Sequence, residues 1–86
     1  RYPELAAAID IPLAGGEGTD SFLSAKELIV RKSFDIIQPD ATLCGGISQS
    51  IVIAEFASLF GVMTIPHCWG GAIALTAALN VVCCIP

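Results

Sequence analysis

Basic residues are scarce in this sequence, and their scarcity argues against nucleic acid as a partner. Four lysines and arginines stand against eight aspartates and glutamates, which gives a formal net charge of −4. Proteins that bind phosphate backbones carry clustered positive charge. The adjacent Arg31 and Lys32 instead lie near the end of a predicted helix, where positive charge complements the helix dipole.

A hydrophobic run long enough to cross a membrane is also missing. The longest candidate, Gly70 to Ile85, has about 16 residues and is interrupted by Thr76 and Asn80, whereas a spanning helix needs roughly 20 apolar residues. No charged and then apolar leader opens the chain, so secretion is unsupported. We therefore expect no membrane residence and a cytoplasmic location.

The four cysteines lack the spacing of a metal site or of a redox motif. None forms a C-x-x-C pair, which zinc sites and thioredoxin-like sites commonly use. Cys83 and Cys84 are adjacent within an apolar helical run, which predicts buried thiols that pack as small hydrophobic groups. Without a secretory signal, reduced thiols are the expected state.

Charged residues of either sign are few, which bears on whether the chain is an independent domain or a fragment of a larger protein. Only 14% of the 86 residues are charged and 55% are hydrophobic, with a mean hydropathy of +0.77. A small independent domain needs a larger polar share, because most of its residues lie near its surface. We therefore expect a fragment of a larger protein, in which the strands are covered on both faces. The absence of an initial methionine agrees with this expectation.

The order of apolar runs and turn residues predicts three strand-then-helix units. The predicted strands are Ile11 to Gly15, Phe34 to Ile37 and Val62 to Ile65, and helices follow over about 22–29, 48–60 and 72–84. Tyr2 to Ile9 precedes them as a helix end or a connection. Successive β-then-α units with short connections predict an α/β fold with parallel strands and right-handed crossovers. A barrel and an open sheet both fit this pattern.

Capping residues and helix spacing give more detailed expectations. Thr19, Asp20 and Ser21 offer N-cap oxygens for the first of these helices, and Ser48 or a neighbour offers one for the second. Gly61 stands where a C-cap glycine belongs. The second helix is expected to face the sheet with a stripe of apolar residues: Ile51, Val52, Ala54, Phe56 and Leu59.

One ionisable residue follows each predicted strand. Glu17, Asp40 and His67, the only histidine, are 23 and 27 residues apart, which is about the length of one strand-plus-helix unit. Parallel strands bring such positions to one edge, the carboxyl end, where active sites of α/β proteins assemble. The pattern therefore predicts a candidate catalytic group of two carboxylates and an imidazole.

Each of these residues also has an ordinary structural explanation. Glu17 could be a polar loop residue, Asp40 a turn former after Pro39, and His67 a hydrogen-bonded buried histidine. Those explanations do not account for the fact that the three residues occupy equivalent positions after consecutive strands. Trp69 could line a pocket, although aromatic packing at the rim is the commoner role.

Three phrases in the sequence resemble the enolase superfamily, and most closely its mandelate racemase subgroup within the mandelate racemase/muconate lactonizing enzyme family. They run Ile11-Pro-Leu-Ala-Gly-Gly-Glu17, Asp35-Ile-Ile-Gln-Pro-Asp40 with Cys44-Gly-Gly-Ile47, and Pro66-His67-Cys-Trp69. The resemblance implies that residues 1–86 are part of a C-terminal (β/α)7β TIM-type barrel domain and cover strands five to seven.

The resemblance also assigns chemistry to these positions. It implies that Glu17 is a ligand of Mg²⁺ and that Asp40 and His67 form a proton-transfer dyad. Trp69, which follows His67 on the same loop, is a candidate substrate contact. A lysine that acts on the opposite face of the substrate and two further metal ligands are expected outside this chain.

The reaction implied by the resemblance begins with removal of the α-proton of a small carboxylate to give an enediolate. Dehydration of a sugar acid is favoured, with racemisation or epimerisation, lactone cycloisomerisation, or a non-catalytic truncated barrel piece as alternatives. The implied full-length protein is a homo-oligomeric lyase or isomerase. The 86 residues alone are expected to be inactive.

Overall fold

Helices and short parallel strands alternate along the chain in the computed structural model, which describes residues 1–86. The elements in chain order are α1 (Tyr2–Ala8), β1 (Ala14–Gly15), α2 (Phe22–Val30), β2 (Ile36–Ile37), α3 (Ile47–Leu59), β3 (Met63–Thr64) and α4 (Ala72–Val82). The predicted α/β organisation with three β-then-α units is confirmed, and the segment before them is a helix.

The three strands form one parallel sheet in the order β1-β2-β3. Gly15 is aligned with Ile37, and Ile37 with Thr64, so the carboxyl ends of all three strands lie at one edge. This arrangement is what a piece of a barrel requires, because sequential parallel strands joined by helices lie side by side.

All three strands are shorter than predicted, and the starts of β1 and β3 have local explanations. Pro12 has no amide hydrogen, and Ile11 is 72% exposed, so β1 does not extend back to Ile11. The amide of Val62 donates to the carbonyl of Ala57 at the end of α3. It therefore completes a helix terminus rather than the sheet ladder.

The termini of α2 and α3 follow the predicted signals in part. Ser21 caps α2 through a reciprocal capping box with Ser24. The N-cap of α3 is Gly46, which offers no side-chain oxygen, while Ser48 lies inside the first turn. The predicted C-cap glycine is confirmed, because Gly61 follows the end of α3 with a φ of +69°.

The core lies between the sheet and the two central helices. A cluster of eight buried residues forms it: Ala25, Ile29, Phe34, Ile37, Cys44, Ile53, Ala57 and Val62. On α3 the buried residues are Ser50, Ile53, Ala54 and Ala57. The prediction that Val52 and Leu59 face the sheet was wrong, since both side chains are exposed. The four buried residues are spaced so that they form one face of α3.

The predicted burial of Cys83 and Cys84 was also wrong. Both side chains are exposed, and all four cysteines are free thiols. The reason is that α4 ends at Val82 with Cys83 as its C-cap. The two thiols therefore lie beyond Val81, the last fully buried residue of that helix.

Many large apolar side chains remain on the surface of these 86 residues. Leu59, Trp69 and Ile73 are each more than four-fifths exposed. None of the helices is long and apolar enough to cross a membrane.

Candidate functional site

The carboxyl ends of β2 and β3 bring Asp40 and His67 together. The sheet continues past both strands, because the amide of His67 donates to the carbonyl of Pro39 at 3.0 Å, and Asp40 and His67 form an isolated parallel bridge. Their side chains meet as a result: Nδ1 of His67 lies 2.9 Å from Oδ2 of Asp40. The predicted juxtaposition of these two residues is confirmed.

The Asp40 carboxylate is almost fully buried and yet favours the ionised form. Burial alone would raise its pKa, and this is the largest single influence. Hydrogen bonds from the hydroxyl and amide of Thr42, together with the bond and charge interaction with His67, outweigh burial and lower the pKa of Asp40 below its usual value. The carboxylate is therefore a stable anionic acceptor for the imidazole.

Thr42 is the member of this hydrogen-bond group that the sequence interpretation missed. Its hydroxyl donates to Oδ1 of Asp40 at 2.7 Å, and its amide donates to the same oxygen at 2.8 Å. An aspartate that accepts from the amide two residues further on is the signature of an Asx-turn. The Asp-Ala-Thr sequence contained that signal.

The second ring nitrogen of His67 is available for chemistry. An ionised Asp40 can only accept, so a hydrogen bond to it places a proton on Nδ1 of His67. Nε2 makes no hydrogen bond within the chain, and the side chain is 30% exposed. The arrangement therefore presents one ring nitrogen of an oriented imidazole to a molecule at the carboxyl edge of the sheet.

Glu17 lies at the same edge, in the turn that follows β1. The amide and hydroxyl of Thr19 both donate to the carbonyl of Gly16, at 3.1 and 2.9 Å, and this closes the turn around Glu17. The exposed Glu17 side chain borders an open cavity of about 390 Å³, whose lining also includes Ser24. Asp40 and His67 do not line that cavity.

The residues of this chain suit Mg²⁺ only in part. The carboxylate of Glu17 is exposed and forms no hydrogen bond or ion pair, so it is free to offer the hard oxygen that Mg²⁺ prefers. No three histidine, cysteine, aspartate or glutamate side chains converge. These side chains therefore form no three-ligand metal cluster of their own.

Trp69 follows His67 by two residues and is 84% exposed. It makes no contact with another aromatic ring. The ring lies in the loop between β3 and α4, which also carries His67.

Comparison with known proteins identifies similar sequences among sugar-acid enzymes. The D-galactonate dehydratase of Xanthomonas oryzae pv. oryzae (strain PXO99A) is 41% identical over 80 residues, which are 93% of this chain and 21% of that protein. The D-galactonate dehydratase of Verminephrobacter eiseniae (strain EF01-2) is also 41% identical, over 81 residues. The chain thus spans about a fifth of the length of these curated relatives.

Solved structures with the same fold belong to related proteins. The 3,6-anhydro-D-galactonate cycloisomerase from Zobellia galactanivorans has a TM-score of 0.92 at 34% identity, over 98% of this chain and 24% of its own. A mandelate racemase/muconate lactonizing protein from Paracoccus denitrificans Pd1222 has a TM-score of 0.86 at 30% identity, over 94% of this chain and 22% of its own.

The family comparison covers the whole chain. Residues 1–86 match the family model described as enolase C-terminal domain-like. The likeness therefore extends over all four helices and the sheet, and includes the strand ends that carry Glu17, Asp40 and His67. The chain belongs to the enolase C-terminal domain-like family.

Proposed function

We propose that this chain is part of the barrel domain of an enzyme that dehydrates a sugar acid, with Asp40 and His67 as its proton-transfer pair. The observation that carries the proposal is the 2.9 Å contact between His67 and the buried Asp40 at the carboxyl edge of the sheet. The dehydratase names of the 41% identical relatives support the substrate class.

The chemistry follows from what the pair can do. Dehydration removes the proton on the carbon next to the carboxylate and the hydroxyl on the following carbon, and the resulting enol becomes a 2-keto-3-deoxy acid. His67 gives a proton from Nε2 to the departing hydroxyl, which leaves as water. Asp40 keeps the ring oriented and stabilises the imidazolium before that transfer.

The remaining roles are divided between Glu17, Trp69 and the rest of the protein. Glu17 would provide one oxygen ligand to Mg²⁺, which when bound stabilises negative charge developing on the substrate carboxylate. Trp69 would contact the substrate beside the pair. The group that takes the α-proton and the other metal ligands would come from parts of a longer, homo-oligomeric protein.

The test uses the full-length protein that carries this chain, with Mg²⁺ and a panel of sugar acids that begins with D-galactonate. Formation of the 2-keto-3-deoxy acid is measured by its reaction with semicarbazide. We expect turnover by the unchanged protein and a loss on the order of a hundredfold or more in His67→Asn. The control is Cys68→Ser on the same loop, which should keep its turnover.

A second reaction is favoured by one relative, the 3,6-anhydro-D-galactonate cycloisomerase that is 34% identical. Cycloisomerisation uses the same proton-transfer pair but loses no water, so its product has the mass of the substrate. Mass spectrometry of the products therefore separates the two reactions. If no sugar acid is converted by either route, or if His67→Asn is as active as the unchanged protein, the proposed function is wrong.

A further inference from the structure

The two oxygens of the Asp40 carboxylate have different partners. Oδ2 faces Nδ1 of His67 at 2.9 Å, whereas Oδ1 accepts only from Thr42, through its hydroxyl at 2.7 Å and its amide at 2.8 Å. Since Asp40 is only 3% exposed, water has little access to either oxygen. The direction in which Oδ2 points is therefore set by what holds Oδ1.

The loop that carries Thr42 is itself held in place. The carbonyl of Asp40 accepts from the amides of Leu43 and Cys44, at 3.0 and 2.8 Å. The buried Cys44 thiol lies 3.2 Å from the hydroxyl of Ser50 on α3. Thr42 thus lies between a backbone turn and a core contact, which gives its hydroxyl a fixed position relative to the carboxylate.

The hydroxyl of Thr42 is separable from the turn that contains it. The Thr42 amide already makes the bond that defines an Asx-turn, so the turn would remain with any residue other than proline at this position. The hydroxyl adds a second, shorter bond to the same charged oxygen. Thr42 is exposed overall, so replacement of its hydroxyl by a methyl group creates no cavity in the core.

We propose that Thr42 is a positioning residue for the Asp40–His67 pair, whose hydroxyl fixes the Asp40 carboxylate so that Oδ2 holds the imidazole for proton transfer. The inference rests on the proposed function, because the pair must carry the reaction for its orientation to matter. Two donors on one oxygen restrict rotation of the carboxylate about its Cβ–Cγ bond. Removal of one donor leaves the ring of His67 less well oriented.

The test compares Thr42→Val, which keeps the shape and the amide, with Thr42→Ser, which keeps the hydroxyl, in the full-length protein. The measured quantities are kcat and KM for the sugar acid that the unchanged protein converts. We expect kcat of Thr42→Val to fall about ten- to hundredfold, as is typical when a supporting hydrogen bond is removed. KM should change little, because the proposed role of Thr42 involves no contact with the substrate, and Thr42→Ser should regain most of the lost turnover.

Two further variants keep the result interpretable. Thr42→Ala also lacks the hydroxyl and replaces Thr42→Val if valine disturbs the loop. Thr76→Val is the matched control, because it removes a threonine hydroxyl that donates to a backbone carbonyl on α4, at 2.7 Å to Ala72. Thr76→Val should turn over like the unchanged protein.

The outcomes distinguish this inference from the proposed function. If the unchanged protein is active and both Thr42→Val and Thr42→Ala keep full turnover, the positioning role is wrong while the proposed function stands. A fall in kcat that Thr42→Ser does not reverse also contradicts the role. If the unchanged protein converts no sugar acid, the proposed function fails first and this inference fails with it.

Discussion

Asp40 shows at the scale of one residue how a buried charge is stabilised. Its carboxylate is nearly removed from solvent, which by itself disfavours ionisation, but three hydrogen bonds from Thr42 and His67 favour it more strongly. An unpaired buried charge would cost several kcal/mol. The same bonds that stabilise the fold therefore also orient the candidate catalytic imidazole.

The lowered pKa of Asp40 predicts how stability changes with pH. A folded-state pKa below the unfolded value of 3.8 gives a stabilisation that is complete above the unfolded pKa and is lost as the pH falls through the folded pKa. The unfolding free energies of the full-length protein and of Asp40→Asn should therefore differ more at about pH 5 than at about pH 3. The difference should shrink below about pH 4, which urea unfolding at a series of pH values would measure.

The control for this prediction is Asp10→Asn, at an exposed aspartate in the segment between α1 and β1. Asp10 makes no hydrogen bond, so its replacement removes a surface carboxylate without removing such a contact. A difference between the protein and Asp40→Asn that is the same at about pH 3 and about pH 5 would contradict the prediction.

The turn between β1 and α2 shows at the scale of an element why Glu17 lies where it does. Gly16 has a φ of +95°, which residues with a Cβ atom rarely adopt. A Cβ atom there would also lie 2.5 Å from Cδ1 of Ile37 in the core. The hydrogen bonds from Thr19 to Gly16 then close the turn, so the direction of the Glu17 side chain depends on a glycine.

Gly16→Ala in the full-length protein should therefore destabilise it by about 1 to 3 kcal/mol, through backbone strain and overpacking together. The midpoint of urea unfolding measures this loss. Gly18→Ala is the matched control in the same turn, because its Cβ atom would meet nothing within 4 Å. Equal midpoints for the two variants would contradict the prediction, because they would show that neither backbone strain nor the close approach to Ile37 destabilises Gly16→Ala.

At the scale of the whole molecule, the three-stranded sheet leaves both of its lateral edges unpaired. β1 and β3 each have a strand on one side only, and just 17 of 86 residues are buried. Exposed edges and large apolar surfaces promote association. These features are expected of strands that pair with further strands in a complete barrel.

The 86 residues expressed alone should therefore aggregate or form a poorly packed state, and they should be inactive. Size-exclusion chromatography with light scattering and thermal unfolding followed by circular dichroism would measure this. A soluble monomer with a sharp cooperative transition would contradict the prediction and would mean that this part of the fold is independently stable.

Much of the fold and part of the candidate site could be predicted from local patterns. The three β-then-α units followed from apolar runs and glycines, and the resemblance that indicated the family depended on short phrases around Glu17, Asp40 and His67. The first and last residues of each strand could be predicted less accurately than the order of the elements. Whether the amide of Val62 joins the sheet or the end of α3 depends on hydrogen bonds that both elements can offer.

The sequence by itself determined the order of the elements and the residue types at the strand ends, because these depend on local propensity and spacing, and its short phrases indicated the family by their resemblance. Only the tertiary structure decided that Nδ1 of His67 meets Asp40, that Thr42 holds the opposite oxygen, and that Val52, Leu59, Cys83 and Cys84 face outward. The physical reason is that such contacts depend on how strands align and how helices rotate on the sheet. Alignment and rotation are set by the packing of the whole core, which no local pattern specifies.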